Sequence, residues 1–359
     1  GVLFADEGFP GIDKLIPDIG YLVENQHKFR GYAITHGHED HIGAIPHIWR
    51  ALDCPIYASP FAAQLIRAKL DPGLAWPRLQ EIRPLEPIGI GAFQAEWIPV
   101  THSIPESHAI VLDVAGKRLY HSGDWKLDNH PVVGELTAQA RLQQLGRAGI
   151  DVIIGDSTNA SVPGASRSEA AVQNGLQDAI RPCRHRVIVT CFASNLARLH
   201  SLADIAFDCG RYAALLGRSL THMHSIGRAQ GYLPGRPGYI GPWELGHLPR
   251  EQQLGVEFAH SVYGTARRRR DAHALDVNRV ERGVARTSLG AHSEQCYGMV
   301  VHKFAVALVR ELGESMGAGC QEQPGVPHRC FARAVGCSAR TNSAVGQPYR
   351  CWRRHAQLA

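Results

Sequence analysis

Residues 36–41 read His-Gly-His-Glu-Asp-His, which sets three imidazoles and two carboxylates in six positions. Neutral imidazole is the commonest metal ligand among side chains, and Asp offers a hard oxygen to the same ions. His36 and His38 are two residues apart, so on an extended backbone both rings project to one side. Asp40 and His41 follow, past the bend, and would approach from another direction. This density points to bound divalent cations that activate water for hydrolysis. His27, His47 and His130 lack any such neighbours and read as solvated or core-satisfied side chains.

Two further segments supply the same groups. Ala95–Val100 has the pattern of an apolar strand and runs into Thr101-His102-Ser103, while Tyr120-His121-Ser122-Gly123-Asp124 places an Asp at a strand end. Gly123 lets the backbone approach closely there. His36, His38, His102 and Asp124 can hold one ion, and Asp40 and His41 with a shared Asp124 can hold most of a second. A shared carboxylate would keep the ions about 3.5–4 Å apart, the spacing at which two metals lower the pKa of water and supply hydroxide near neutral pH. Asp40 would also steer that hydroxide. Zinc suits this His/Asp set best; Mn2+ or Mg2+ fits the ligand types less closely.

The elements that must position these residues are legible over two thirds of the chain. Tyr32–Thr35 is a short apolar run leading into the cluster, and Ile42–Trp49 can begin a helix. Val111–Val114 and Arg118–His121 form a hairpin pattern around Ala115-Gly116-Lys117. Asp151–Gly155 and Arg186–Thr190 read as buried strands, with helical composition over 166–180 between them. Strands alternating with helices imply a layered α/β architecture.

Two later strands lead into helices through small polar turns. Val187–Thr190 runs into Cys191-Phe192-Ala193-Ser194-Asn195, and Ala213–Leu216 runs into Gly217-Arg218-Ser219. Helix starts of this kind offer free N–H groups and partial positive charge to phosphate oxygens. Ser194, Asn195 and Ser219 read equally well as plain N-caps. Phe192 is more naturally a packing residue than a base-stacking one.

The 359 residues carry a net charge of +5, 44% hydrophobic and 20% charged residues, the composition of a globular protein that tolerates an anionic partner. No long apolar run suggests a membrane span, and the first residues, which lack an initiating Met, show no signal peptide. Nine Cys at irregular spacing argue against a disulfide framework and fit the cytoplasm. Beyond about residue 235 the character changes. One Lys remains (Lys303), Arg267–Arg270 form a basic run, and five of the nine Cys crowd the last stretch. Only Met299–Leu312 reads there as an apolar helix. The expectation is a divergent, disordered or out-of-frame tail.

The combination of His-x-His-x-Asp-His, His102 and Asp124 resembles the metallo-β-lactamase superfamily. Gly11-Ile12-Asp13, Ile16-Pro17-Asp18, Thr35–Ala44, Thr101–Pro105, Gly123-Asp124-Trp125-Lys126 and Gly155-Asp156-Ser157-Thr158-Asn159 narrow the resemblance to ribonuclease J, in its β-CASP branch. That likeness covers about residues 2–235. It implies an α/β fold, a metallo-β-lactamase αββα sandwich with an inserted β-CASP α/β domain, here incomplete. The expected divisions are 1–165 for the first domain, 166–235 for part of the second, and 236–359 unassigned. It also implies a zinc-dependent ribonuclease with RNA as partner, no membrane, and a homodimer or pairing with a full-length homologue. By the same likeness Asp156 would act beside the catalytic Asp40 by orienting a ligating His, against an ordinary turn-forming role. Phe192, Ser194, Asn195, Arg218 and Ser219 would line the RNA groove.

Two family motifs are missing from the pattern. An early Asp is expected before residue 1, and a Ser-Gly-His segment and final His ligand after the insertion. His247, His260, His292, His302, His328 and His355 stand in unmatched contexts. The expectation is therefore little or no activity, whether endo- or exonucleolytic. The alternatives are a non-catalytic RNA-binding fragment and a small-molecule hydrolase of the superfamily, the latter disfavoured by the inserted segments.

Overall fold

The computed structural model describes residues 1–258 apart from 5–10, 13, 71–77, 161, 163 and 234–237, together with three short strands further on. The first strands, β1 (Leu3–Phe4) and β2 (Lys14–Pro17), pair antiparallel ahead of the short helix α1 (Gly20–Glu24). Then β3 (Tyr32–Ala33) delivers the chain to the His cluster, whose second half is the single turn α2 (Glu39–Ile42), followed by α3 (Ile45–Ile48). Parallel to β3 lie β4 (Ile56–Ala58) and β5 (Leu79–Glu81), with the crossover helix α4 (Pro60–Lys69) between them. Ser59 starts α4 by accepting from the Ala62 N–H, and Pro60 takes the first helical position, where no N–H is needed.

A second sheet follows as an antiparallel run, β6 (Ile88–Ile90), β7 (Phe93–Pro99), β8 (His108–Val114) and β9 (Lys117–His121). The expected hairpin is β8–β9. Its loop is two residues, Ala115 and Gly116, both at positive φ, the turn that matches strand twist. Next come α5 (Gln139–Ala148) and β10 (Val152–Gly155), which returns parallel to β9.

Alternation along β7 and β8 explains the layering. Ala95, Trp97 and Ile110 face the first sheet and pack with Tyr57 and Ile82, while Trp97 Nε1 donates to the Ile34 carbonyl at 2.8 Å. Ile98, Ala109 and Val111 face the other way and pack on Leu145 of α5. Glu96 shares that outer face, where Arg141 of α5 grips it through two hydrogen bonds of 2.8 and 2.6 Å. Helix, sheet, sheet, helix is the αββα sandwich.

The second unit begins with α6 (Glu169–Ile180), N-capped by Ser168. It continues through β11 (Arg186–Cys191), α7 (Leu196–Asp208), β12 (Tyr212–Leu216), α8 (Arg218–Ala229), α9 (Pro242–His247) and β13 (Gln253–Phe258). With β14 (Ala272–Asp276) the sheet order is β12-β13-β11-β14, every pair parallel. The expected boundary at residue 235 falls short of this sheet, because β13 sits between β11 and β12. Gly255 in mid-strand hid it, since a glycine leaves no side chain for a strand pattern. One apolar cluster runs from Ile34, Ile56 and Phe61 to Leu196, Leu220 and Val256, so the two units share a core.

Of the expected helix at 299–312, the described residues are β15 (Ala305–Leu308), a strand antiparallel to β10. A four-residue apolar run fits either period, and an open sheet edge decided it. The last described segment, β16 (Tyr349–Cys351), pairs with β2. The rest of the tail, with its basic run and four of its five Cys, lies outside the described residues. No described helix is long and apolar enough to cross a membrane.

Candidate metal centre

His36 is fully buried in the segment that follows β3, and His38 stands just before α2 with an extended backbone (φ −70°, ψ 155°). Their rings converge, with His36 Nε2 3.0 Å from His38 Nδ1. His102, on the loop after β7, brings its Nε2 to 3.1 Å from the same Nδ1. Asp124, on the loop after β9, closes the set with Oδ2 at 3.8 Å from both His36 Nε2 and His102 Nε2. Ligands at the usual zinc distance on a tetrahedron are about 3.3 Å apart, so four donors that all lie within 4.8 Å of one another, with these contacts at 3.0–3.8 Å, suit one ion.

Burial keeps two of these rings neutral, pushing His38 down to about 4 and His102 down to about 3 against the pull of nearby carboxylates. Neutral imidazoles present lone pairs to a cation instead of repelling it.

The other carboxylate oxygen of Asp124 turns the opposite way. Oδ1 lies 3.3 Å from His41 Nε2, which is 3.7 Å from Asp40 Oδ2. Asp40, His41 and Asp124 therefore form a second group, and Asp124 belongs to both. A hydroxyl that the motif reading did not single out serves both groups. Thr35 Oγ1 is 3.0 Å from His36 Nδ1 and 3.2 Å from His41 Nδ1, which turns both Nε2 atoms inward. Glu39, the remaining acid of the cluster, ion-pairs with Lys69 of α4 instead.

Two glycines are fitted to this packing. Gly123 has φ +60°, and a Cβ there would lie 2.6 Å from the His108 carbonyl oxygen. At Gly37 a Cβ would lie 2.5 Å from Leu65 of α4. Beside His102 a cavity of about 240 Å³ opens between the two units, lined by Arg83, Glu106, His108, Glu135 and Tyr232 among others.

Comparison with known proteins identifies the lineage. Residues 33–154 match the metallo-beta-lactamase superfamily, and residues 184–256 match the ribonuclease J beta-CASP domain. The chain belongs to the ribonuclease J family. It is 36% identical over 262 residues to the ribonuclease J of Sinorhizobium meliloti, which covers 71% of this chain and 46% of that protein. To the Mycolicibacterium smegmatis ribonuclease J it is 37% identical over 234 residues, 65% of this chain and 42% of that protein. The Thermus thermophilus ribonuclease J gives 36% over 265 residues, 71% and 46%. This family member thus spans 34% to 46% of the length of these and other curated relatives it matches.

Within the β-CASP sheet, the parallel order puts the turns after β11 and β12 at the same carboxyl edge, the edge where open α/β sheets bind ligands. Phe192 is exposed there rather than packed, contrary to the residue-level expectation. Ser194 is half-buried, and Asn195 is the N-cap of α7, accepting from the Arg198 N–H at 2.9 Å. Arg218 and Ser219 are exposed in the first turn of α8, but the N-cap is Gly217, so Ser219 does not cap. Asp156 departs from its expected role. Its Oδ1 accepts from the Thr158 N–H and hydroxyl at 2.9 and 2.7 Å, an Asx turn that leaves the ligating histidines to other partners. His247 stacks edge-on against the exposed Trp243, while His260, His292, His302, His328 and His355 lie outside the described residues.

Proposed function

We propose that this chain is a metal-dependent ribonuclease of ribonuclease J type, with two ions held by His36, His38, His102, Asp124, Asp40 and His41. The single observation that carries the reading is the splayed carboxylate of Asp124, one oxygen turned to each group of ligands. When bound, such ions supply a water of lowered pKa and neutralise charge on a phosphoryl group. Zinc is the proposed metal, since three imidazoles with carboxylate fit it best.

The chain's own residues do the rest. Asp40 is the most exposed of the six, its side chain 37% accessible, so it stands where an incoming phosphodiester meets the centre. Its proposed role is to help hold the second ion and to steer the attacking hydroxide. Phe192, Ser194, Asn195, Arg218 and Ser219 supply a face for the RNA strand, with exposed Phe192 free to stack on a base and Arg218 to meet phosphate. Asp156 supports the turn that leads out of β10.

A second reading rests on the smaller second group, which has three ligands against four in the first among the described residues. It is a protein that holds one ion firmly, binds RNA and pairs with a full-length homologue without cutting.

Metal analysis together with a 5′-monophosphorylated RNA substrate separates the two. The ribonuclease reading expects two zinc ions per chain and RNA degradation, kept low by the two missing motifs and abolished in Asp40→Ala and His41→Ala. One ion with RNA binding but no cleavage would favour the second reading. Cleavage that survives both substitutions would overturn the ligand assignment.

A further inference from the structure

Asp124 sits on a loop and not on a regular element, yet it must present two oxygens in fixed directions. The loop is tied first to its neighbour. The Lys126 N–H donates to the Thr101 carbonyl at 2.9 Å, and Ser107 Oγ donates to the Asp124 carbonyl at 3.2 Å. The loops of His102 and Asp124 therefore form one block.

A set of buried charges then fastens that block to the β-CASP unit. Lys126 Nζ lies 2.7 Å from Glu169 Oε1 and 3.2 Å from Asp128 Oδ2. Asp128 Oδ2 also accepts the first N–H of α6, from Glu169 itself, at 2.9 Å. Glu169 Oε2 accepts from Arg198 Nη2 at 3.1 Å. The Asp128 side chain is fully buried, and Glu169 and Arg198 are 5% and 1% exposed. Two positive and two negative charges balance. Arg198 lies in the first turn of α7, where its N–H is held by Asn195 of the proposed RNA turn.

A second tie lies beside it. Glu106, at φ +55°, accepts from the Phe61 N–H at 2.7 Å and from the Tyr232 hydroxyl of the β-CASP unit, four residues after His102.

A buried ionic quartet is poor value as stability, because an apolar replacement of the same volume is commonly neutral or better. What it does supply is geometry, since its carboxylate oxygens are met only when the loop and both helices stand in one relation. We infer that the Lys126–Glu169–Arg198 relay is a positioning device by which the β-CASP unit holds Asp124 in its ion-bridging pose. The inference rests on the metal reading above. Glu169 and Arg198 are positioning residues on helices that carry no ligand, and through Asn195 the relay joins the RNA turn to the metal centre.

Zinc titration of the full chain against a chromophoric chelator tests this. The double variant Glu169→Met/Arg198→Met removes both β-CASP side chains of the relay while leaving the Lys126–Asp128 pair, the Asp128 bond to the residue 169 N–H and the core volume. Its zinc affinity should fall ten- to a hundred-fold, the usual effect of losing a group that supports a ligand. The single variant Arg198→Lys, which keeps the charge and its Glu169 partner, should retain most of the parent's affinity. A double variant with the circular dichroism of the parent and zinc affinity within two-fold of it would overturn the inference. Should the double variant fail to fold, Glu169→Gln, close to isosteric, is read by the same two outcomes. RNA cleavage is followed separately on the same preparations. Intact zinc binding with no cleavage by the parent would sink the ribonuclease reading, while a zinc defect in the variants would still support the relay.

Discussion

His108 shows how the centre is embedded. It is 2% exposed at the start of β8, and burial pushes its imidazole down to about 4, against the opposing pull of the Thr35 and Glu106 carbonyls. The unfolded chain would titrate this group near 6.5. Above that pH both states are neutral and the residue contributes no pH dependence. As pH falls from about 6.5 to about 4, the unfolded state takes up the proton first, so stability is lost across that window, by roughly 3 kcal/mol. Denaturant melts of metal-free protein should show this slope, and His108→Gln should flatten part of it. An unchanged slope in the variant would mean that other groups govern the acid response.

At the scale of elements, short backbone segments carry more of the site than helices or strands do. Gly123 is forced by its left-handed φ and by the His108 carbonyl behind it. Gly123→Ala should destabilise the fold by about 1–3 kcal/mol and shift Asp124 enough to weaken metal binding. Thermal unfolding and zinc titration read the two effects independently; a melting temperature equal to that of the parent would show that the loop can yield. Asn195→Ala removes the α7 cap and should cost about 1 kcal/mol in chemical denaturation. If Asn195 also meets phosphate, RNA affinity should fall further than that loss explains, whereas proportionate changes would leave it a cap alone.

For the whole molecule, the units are joined by a shared apolar core and by buried charges close to two ligands. RNA bound along the carboxyl edge of the β-CASP sheet would lie over that junction. Phosphate contacts release counterions, so affinity should fall linearly in log–log terms with salt. Arg218→Ala should weaken binding evenly across sequences and lower the salt slope by about one. A full wild-type slope in this variant would place the strand elsewhere.

The proposed ligand cluster at 36–41, with His102 and Asp124, could be picked out as a candidate directly, because polar groups next to strands keep their types and spacing whatever packs beneath them. Hairpin β8–β9 and helices α6, α7 and α8 were legible for a related reason, since turn residues and apolar periods are local. Strand β13 was not, since Gly255 breaks its pattern and only pairing between β11 and β12 fixes it. Nor was β15, whose four apolar residues became strand at the open edge of β10. Thr35 as a brace for two ligands, Asp156 as a turn former and the Lys126–Glu169–Arg198 relay depend on residues brought together from distant parts of the chain. The order of residues determines which chemistry is available. Tertiary structure alone decides which oxygen of Asp124 faces which histidine, because His36, His41 and His102 and the Ser107 hydroxyl that holds its backbone all come from distant parts of the chain.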